Sequence, residues 1–205
     1  MKVLLINGSP HESGCTSTLL KEVAKELNIN GVETEIIFIG NKPIRGCVAC
    51  GRCAELKKCV FDDEVNVVAE KFRKADGLIL GSPVYFASAN GTLVSFLDRL
   101  FMSSKFDKTM KVGATVVSAR RAGTTATFDM LNKYFSISSM PIASSNYWNM
   151  GHGSKGEDIL SDEEGLQTMR VLARNVAFLV KAINAEKEKS GLPVKEEKIK
   201  TNFIR

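Results

Sequence analysis

Lys2-Val-Leu-Leu-Ile-Asn7 leads directly into Gly8-Ser-Pro-His-Glu-Ser-Gly-Cys-Thr-Ser-Thr18, and this junction decides the fold. The first segment is a nearly continuous apolar run, typical of a strand buried on both faces of a parallel sheet. The second is rich in glycine and hydroxyl residues, and it overlaps the start of an apolar pattern at helical spacing from Thr16 to Leu27. A buried strand that turns through a polar loop into a helix indicates an α/β fold.

The alternation of strand and helix continues along the rest of the chain. Five predicted strands alternating with helices indicate a parallel sheet with right-handed crossovers and helices on both faces. Ligands bind such sheets beyond the carboxyl ends of the strands, where the strand order reverses. The predicted strands are Lys2–Asn7, Thr34–Ile39, Gly77–Gly81, Lys111–Ser118 and Met140–Ser144. The predicted helices are Thr16–Leu27, Asp62 or Asp63 to Lys74, Gly91–Met102, Gly123–Phe135, and a last helix to Ala185 that the capping box Ser161-Asp-Glu-Glu164 opens.

The loop after the first strand is a candidate phosphate site. Backbone N–H groups and hydroxyls at a helix N-terminus bind phosphate, with help from the helix dipole. The loop is neither a G-x-G-x-x-G fingerprint nor a P-loop, so a monophosphate fits it better than a dinucleotide pyrophosphate. The alternative is an ordinary turn capped by Thr16 or Ser17.

Two further loops follow predicted strands and add to this edge of the sheet. Gly81-Ser-Pro-Val-Tyr-Phe-Ala-Ser88 places two aromatic rings where an aromatic ligand would lie. Ala119-Arg-Arg-Ala-Gly-Thr-Thr125 opens a helix with a glycine, hydroxyls and two cations. The alternatives are that the rings pack on the next helix and that both arginines are solvent-exposed. A long polar connection, Ser145–Leu160, is a candidate functional loop as well.

Four cysteines lie within thirteen residues. Cys47, Cys50, Cys53 and Cys59 form the pattern C-x2-C-x2-C-x5-C, in which three thiols can point inward from one loop, as ligands of an iron–sulfur cluster do. Zinc sites more often combine two separated pairs. Disulfides are not expected, because the first apolar run is too short for a signal peptide and thiols stay reduced without secretion. Zinc, a redox disulfide and free thiols remain open alternatives.

Size and charge fit an ordinary single domain. The chain has 205 residues and a net charge of +5, much of it in lysines that alternate with glutamates near the C-terminus. Such a pattern usually marks a solvated surface, so neither a nucleic-acid partner nor a membrane partner is expected. No apolar run reaches membrane-spanning length.

A set of segments links these loops to one family. The segments are Ile6-Asn-Gly-Ser-Pro-His11 with Thr16, Gly46-Cys-Val-Ala-Cys-Gly-Arg-Cys53, Cys59-Val-Phe-Asp-Asp63, Ala75-Asp-Gly-Leu-Ile-Leu-Gly-Ser-Pro-Val-Tyr85 and Phe96-Leu-Asp-Arg99. Together they resemble the iron–sulfur flavoproteins, within the NAD(P)H-dependent FMN reductase group of flavodoxin-like proteins. The resemblance extends from the N-terminus to about Gly123, and more loosely through Trp148-Asn149 and the last helix.

The resemblance implies a flavodoxin-like, doubly wound, three-layer sandwich around a five-stranded parallel sheet of order 2-1-3-4-5. Residues 1–185 would form the FMN-binding domain, with residues 46–60 as an inserted cysteine loop. Residues 186–205 would form a charged C-terminal tail, either without fixed structure or reaching a neighbouring subunit. Family members are typically dimers or tetramers with each cluster near a flavin of a neighbouring subunit, so a homodimer or homotetramer is expected.

The resemblance also implies the cofactors and their residues. The FMN phosphate would lie on Ser9 and the Thr16–Thr18 turn, the isoalloxazine against Pro83–Phe86, and the Ala119–Thr124 loop beside it. The candidate FMN residues are Ser9, His11, Cys15, Thr16, Ser17, Thr18, Pro83, Val84, Tyr85, Phe86, Ser88, Ala119, Arg120, Gly123 and Thr124. The candidate ligands of a 4Fe–4S cluster are Cys47, Cys50, Cys53 and Cys59.

Three positions depart from the family pattern. His11 stands where an arginine is usual, which weakens one charge contact to the phosphate. Cys15 stands where Asn or Cys is seen, and we interpret it as a small residue lining the phosphate site. Gly123-Thr124 replaces the usual Gly-Gly.

The resulting hypothesis is a cytoplasmic flavoprotein oxidoreductase. FMN would receive electrons from NAD(P)H, a transient donor, or from a ferredoxin-like or rubredoxin-like carrier, and would pass them through the cluster to an acceptor. No catalytic side chain is required, because the cofactors supply the chemistry. The alternatives are an NAD(P)H-dependent FMN or quinone reductase without a cluster, a non-catalytic flavin electron shuttle, and a zinc-stapled binding module.

Overall fold

The computed structural model describes residues 1–197, 199 and 201, and within them the chain alternates strands and helices. The strands are β1 (Lys2–Asn7), β2 (Glu33–Phe38), β3 (Gly77–Tyr85), β4 (Ser88–Ala89), β5 (Val112–Ala119) and β6 (Met150–His152). The α-helices are α1 (Cys15–Ile29), α2 (Cys53–Leu56), α3 (Glu64–Lys74), α4 (Gly91–Ser103), α5 (Thr124–Ser136) and α6 (Glu163–Ser190). A short 3-10 helix, Asp158–Ser161, precedes α6.

The main sheet is parallel and has the order β2-β1-β3-β5-β6. The two-residue strand β4 pairs only with β3, antiparallel, and stands off this path. With β4 set aside, the order is the predicted 2-1-3-4-5, and the flavodoxin-like fold is confirmed. The strand order reverses between β1 and β3, so the carboxyl ends of these two strands flank the expected ligand crevice.

Helices cover both faces of the sheet, which confirms the three-layer arrangement. On one face, α1 and α6 bury Leu19, Leu20, Val23, Met169, Leu172 and Val176 against alternate residues of the strands. On the other face, α3, α4 and α5 bury Val65, Phe72, Phe96, Leu97, Leu131 and Phe135. The helix faces predicted from apolar spacing are therefore the ones that the sheet covers.

The fifth strand is not where the sequence predicts it. The predicted strand Met140–Ser144 makes only an isolated bridge, from Ile142 to Gly113. The strand that extends the sheet is β6, ten residues further on, paired with Val117–Ala119. The chain leaves the edge of the sheet after the bridge and returns to it, so part of the predicted loop Ser145–Leu160 is strand.

The last helix also differs from its prediction at both ends. Its N-cap is Asp162, whose Oδ1 accepts from the Gly165 amide at 2.9 Å, and not the predicted Ser161. The helix continues to Ser190, five residues beyond the predicted Ala185.

Part of the charged tail lies against its own chain. Lys195 forms an ion pair with Asp107 at 2.5 Å. The prediction that the tail reaches a neighbouring subunit remains a prediction, and residues 198, 200 and 202–205 of that segment lie outside the described residues. Across the described part of the chain, no helix combines the length and the apolar character that a membrane crossing needs.

Candidate functional site

A cavity of about 320 Å³ opens beyond the carboxyl ends of the parallel strands. We call it the strand-end cavity. The end of β3 and the loops after β1, β5 and β6 all contribute to it, which is the position that the fold predicts for a ligand. Its lining residues are Ser9, His11, Gly14, Cys15, Thr16, Pro83, Val84, Tyr85, Ser118, Ala119, Arg120, Gly153 and Ser154.

The N-terminus of α1 faces this cavity without a side-chain cap. The N-cap residue is Gly14, in an extended conformation, and within the described chain no side chain accepts a hydrogen bond from the first-turn amides. The predicted alternative, a turn capped by Thr16 or Ser17, is therefore not what forms. The first amides of a helix have no partner inside the helix, so an uncapped N-terminus offers N–H donors and a positive dipole end to an anion.

Hydroxyl groups and tight turns fix the rest of this loop. The Ser9 amide donates to Asn7 Oδ1 at 3.0 Å, and the His11 amide donates to Ser9 Oγ at 3.1 Å. The Thr16 and Ser118 hydroxyls hydrogen-bond to each other at 2.7 Å, in a buried position that ties α1 to β5. The loop is thus held in place by its own side chains and by the neighbouring strand.

The opposite wall of the cavity comes from the end of β3. Pro83, Val84 and Tyr85 line it, as predicted. Gly123 supports this wall from behind, because its φ is +88° and a Cβ there would lie 2.9 Å from both Val84 Cγ1 and the Ala87 Cα. Glycine is the residue that tolerates both the backbone conformation and the close approach.

Not every predicted FMN residue lines the cavity. Ser17 and Thr124 are buried, Thr18 Oγ1 donates to the Gly156 carbonyl oxygen at 3.2 Å, and Ser88 Oγ donates to Met130 Sδ at 3.3 Å. Phe86 is fully exposed at the tip of the β3–β4 hairpin. These residues shape the loops around the cavity, and the structure places none of their side chains in its wall.

Four lining residues were not among the predicted ones. Gly14 and Ser118 lie next to predicted positions, and their place at a strand end or helix start could have identified them. Gly153 and Ser154 follow β6. They were not predicted because the sequence pattern placed the fifth strand at Met140–Ser144.

Cys15 lies in the wall of the strand-end cavity. Its Sγ donates to the Lys155 carbonyl oxygen at 3.1 Å, and burial raises the pKa of this thiol. A thiol with a raised pKa is a poor nucleophile near neutral pH. This environment agrees with its interpretation as a small lining residue.

A second cavity, of about 250 Å³, is lined by all four clustered cysteines. We call it the cysteine cavity. Cys53 begins the short helix α2, while Cys47, Cys50 and Cys59 lie in irregular backbone on either side. The remaining lining residues are Val48, Ala49, Gly51, Val60, Phe61, Arg99, Met102 and Ser103. The predicted inward orientation of three thiols from one loop stays a prediction, since Cys47 and Cys50 are exposed.

Arg99 connects this loop to the body of the fold. Its guanidinium donates to both carboxylate oxygens of Asp63, at 2.7 and 2.8 Å, and from Nε and Nη2 to Cys59 Sγ, each at 3.3 Å. Burial acts against its charge, but the hydrogen bonds to Asp63 and Cys59 keep the pKa of Arg99 above its ordinary value. Asp63 is also the N-cap of α3, as predicted, and accepts from the Val65 amide.

All five cysteines are free thiols, so the disulfide alternative is not realised in the described chain. Nor does the described part of the protein contain three His, Cys, Asp or Glu side chains that converge closely enough to hold a single metal ion. All four cysteines line one cavity, and within the described residues they do not meet at one point.

Comparisons with known proteins agree with this geometry. A family model described as NADPH-dependent FMN reductase matches residues 1–155. An iron–sulfur flavoprotein of Methanocaldococcus jannaschii is 36% identical over 191 residues, which cover 89% of this chain and 99% of that protein. An iron–sulfur flavoprotein of Methanosarcina thermophila is 30% identical over 202 residues, which cover 92% and 100% of the two chains.

A solved structure independently shows the same fold. A flavodoxin from the domain Archaea superposes with a TM-score of 0.60 at 15% identity, covering 88% of this chain and 99% of that one. The chain therefore belongs to the NADPH-dependent FMN reductase family, among the iron–sulfur flavoproteins, and is a flavoprotein oxidoreductase.

Proposed function

We propose that this protein is an FMN-dependent NAD(P)H oxidoreductase that binds FMN in the strand-end cavity and a 4Fe–4S cluster in the cysteine cavity. The observation that supports it most directly is that one chain has both an uncapped helix N-terminus in a cavity at the sheet's switch point and a cavity lined by four cysteines. FMN supplies hydride acceptance, and the cluster supplies one-electron transfer.

The strand-end cavity fits FMN by charge and by shape. The first-turn amides of α1, together with Ser9 and Thr16, would bind the phosphate, and Arg120 adds a positive charge at the rim. The backbone of β3 from Pro83 to Tyr85 would cover the isoalloxazine. Ligand pockets of this kind combine one flat apolar wall with a few placed polar groups.

The cysteine cavity fits a cluster by the chemistry of its donors. Each iron of a 4Fe–4S cluster takes one thiolate, so the ligands surround the cluster and do not converge on a single ion. Arg99 already donates two N–H groups to Cys59, and such donors orient and stabilise a ligating thiolate.

The test is anaerobic purification followed by an absorption spectrum and assays of iron, sulfide and NAD(P)H oxidation. We expect flavin bands on a broad iron–sulfur shoulder, tight binding of FMN, and much weaker binding of riboflavin, which lacks the phosphate. The Cys50→Ala variant should lose iron and sulfide and should transfer electrons more slowly to one-electron acceptors. Cys15→Ala is the matched control for the iron and sulfide assays, because Cys15 lies outside the cysteine cavity, and this variant should retain iron and sulfide.

Different failures point to different functions. Flavin without iron, and with full NAD(P)H oxidation in Cys50→Ala, would indicate a reductase without a cluster. Flavin with no steady-state NAD(P)H oxidation would indicate an electron shuttle. A colourless protein with stoichiometric zinc would contradict the proposal altogether.

A further inference from the structure

We propose that two side chains on one face of α4, Arg99 and Ser103, act as hydrogen-bond donors that raise the reduction potential of the cluster in the cysteine cavity. The inference rests on the proposed function, because it assumes that the four thiols hold a cluster. It assigns to α4 a role that the ligands themselves do not have: setting the potential at which the cluster accepts an electron.

The geometry of α4 presents both side chains to the same cavity. Residues four apart on a helix lie on one face, and both Arg99 and Ser103 line the cysteine cavity. Phe96, Leu97 and Leu100 of α4 pack into the core, so the helix is a rigid support. The side chains of Arg99 and Ser103 are almost fully buried, with 1% and 3% of each residue exposed.

Arg99 is held in one orientation. Two hydrogen bonds to Asp63 fix the plane of the guanidinium, and its Nε and Nη2 donate to Cys59 Sγ. Nη1 and Nη2 also donate to the carbonyl oxygens of Arg45 and Phe61, at 3.3 and 3.5 Å. Asn66 fixes Cys59 from the other side, since the Cys59 amide donates to Asn66 Oδ1 at 2.9 Å and Asn66 Nδ2 donates to the Cys59 carbonyl oxygen at 3.1 Å. The donor and its sulfur acceptor are therefore both held in place before any cluster binds.

Ser103 has a hydroxyl without a partner. Its Oγ is buried and makes no hydrogen bond to any described residue, although it lines the cysteine cavity. A buried hydroxyl that lacks a partner is unfavourable, because it has lost its hydrogen bonds to water and gained none in the protein. The cavity wall around it is largely apolar, formed by residues such as Val60, Phe61 and Met102. The group best placed to accept from this hydroxyl is the occupant of the cavity, and a cluster brings sulfur acceptors.

The chemical effect of such donors has a definite sign. One-electron reduction adds one negative charge to the cluster, and part of that charge falls on its sulfurs. N–H and O–H donors stabilise the reduced form more than the oxidised form, so the reduction potential rises. Removal of either donor should lower the potential.

Ser104 offers a matched control for Ser103. Its Oγ is also buried and also has no partner among the described residues, but Ser104 does not line the cysteine cavity. Both Ser→Ala changes remove one buried, unpaired hydroxyl near the end of the same helix. Only Ser103→Ala removes a donor to the cavity's occupant.

The experiment is an anaerobic potentiometric titration of cluster-loaded protein with a chemical reductant and redox mediators, followed by electron paramagnetic resonance. At a fixed potential near the midpoint, we expect Ser103→Ala to decrease the ratio of reduced to oxidised cluster by about fivefold to tenfold, while Ser104→Ala matches the wild type. Arg99→Lys keeps the positive charge but lacks the planar guanidinium with its several N–H donors. This variant should decrease the ratio of reduced to oxidised cluster further.

Two readouts without turnover complete the test. In cluster-free protein, Ser103→Ala and Ser104→Ala should have equal unfolding free energies, no lower than the wild type, because each removes an unpaired buried group. In loaded protein, a chelator should remove iron several-fold faster from Ser103→Ala than from Ser104→Ala.

The outcomes separate this inference from the function on which it rests. If wild-type protein holds no iron and sulfide after anaerobic reconstitution, the cluster and the inference both fail. If the wild type is loaded but Ser103→Ala has the wild-type potential and iron-loss rate, or if Ser104→Ala changes them equally, the cluster stands and the role of α4 is wrong.

Discussion

At the scale of single residues, the positive charge around the proposed phosphate position comes from few side chains. His11 and Arg120 are exposed at the rim of the strand-end cavity, which the uncapped N-terminus of α1 also lines. A neutral histidine donates at most one hydrogen bond from its ring and has no charge, whereas an arginine can bind a phosphate with two charge-assisted bonds. The identity of residue 11 should therefore affect FMN affinity.

Replacement of His11 by arginine should tighten FMN binding by roughly threefold to tenfold, because a charge-assisted hydrogen bond adds about 1 kcal/mol at an exposed rim. Flavin fluorescence quenching in apoprotein measures the change. Riboflavin should show no gain, and the gain for FMN should shrink as salt is raised. His152→Arg adds the same charge beside Asp162, outside the cavity, and should leave both affinities unchanged. An equal gain for riboflavin, or for His152→Arg, would contradict a phosphate contact at residue 11.

A buried lysine that lines neither the strand-end cavity nor the cysteine cavity gives the fold a dependence on pH. Lys108 is 9% exposed, and its Nζ donates to the carbonyl oxygens of Ser104 and Phe106 after the end of α4. Burial, with the nearby positive charge of Lys105, lowers the pKa of Lys108 from 10.5 to about 8. The folded protein thus binds its Lys108 proton less tightly than the unfolded chain does.

The free energy of unfolding should therefore rise as the pH increases from about 8 to 10.5. Between these values the unfolded chain holds more protons than the folded one, so the slope of stability against pH is positive. The full effect of a shift from 10.5 to about 8 is about 3 kcal/mol. Urea titrations at pH 7 and pH 10 should show a larger rise in the wild type than in Lys108→Met, which keeps the contribution of Lys111, whose pKa burial also lowers. Identical pH profiles for the two proteins would show that Lys108 ionises as it does in the unfolded chain.

Single residues also show what sequence reasoning could find in the site. Ser9, Thr16 and Tyr85 were predictable, because they lie at strand ends and helix starts where the fold alone creates a binding edge. Arg99 was visible only as part of a family motif, because its partners Asp63 and Cys59 are 36 and 40 residues away and meet it only in the folded chain. The unpaired hydroxyl of Ser103 depends on packing around one side chain, so no pattern in the sequence predicts it.

At the scale of elements, the β3–β4 hairpin is the most strained connection near the strand-end cavity. Its two central residues, Phe86 and Ala87, both have positive φ, at +51° and +57°. Hairpins with two such residues favour Asn-Gly sequences, because residues with a Cβ adopt this conformation at a cost of about 1 kcal/mol or more. The turn displays Phe86 to solvent beside the cavity at the expense of stability.

Ala87→Gly should stabilise the protein by roughly 1 kcal/mol, because it relieves the left-handed strain by more than the entropy that glycine adds to the unfolded chain. Ala185→Gly is the matched control. It makes the same change at an exposed helical position of α6 and should destabilise by up to about 1 kcal/mol. Urea unfolding measures both. If both substitutions changed the free energy of unfolding in the same direction, the turn would not be strained.

The fifth strand shows why element boundaries could not all be predicted. Met150-Gly-His152 has no alternation of apolar and polar residues, and a central glycine disfavours a strand. The segment is a strand because β5 extends far enough to pair with it, and because Leu19 packs so close to Gly151 that a Cβ there would lie 2.7 Å from it. Met140–Ser144 has the better pattern, but after its bridge at Ile142 the chain leaves the sheet. Tertiary packing therefore decides which of the two segments becomes the fifth strand, and the local sequence pattern does not predict that choice.

At the scale of the whole molecule, the cysteine loop is attached to a core that does not depend on it. The two buried clusters on the faces of the sheet contain none of Cys47, Cys50, Cys53 and Cys59 among their described members. Two of these thiols are exposed and two are partly buried. The loop joins the fold mainly through Arg99 and Asn66, both of which keep partners other than the cysteine sulfurs.

A variant with all four clustered cysteines replaced by alanine should therefore fold and bind FMN. We expect its free energy of unfolding, measured in urea with reductant, to lie within about 1 kcal/mol of the cluster-free wild type, because substitutions at sites outside the core cost little. FMN affinity should change less than twofold. Leu97→Ala is the positive control for core damage. Because Leu97 of α4 is fully buried, its replacement should lower the free energy of unfolding by about 2 to 5 kcal/mol. If the four-alanine variant lost its cooperative transition or its FMN binding, the loop would be an integral part of the flavin-binding fold, and a cluster there would be a structural support for it.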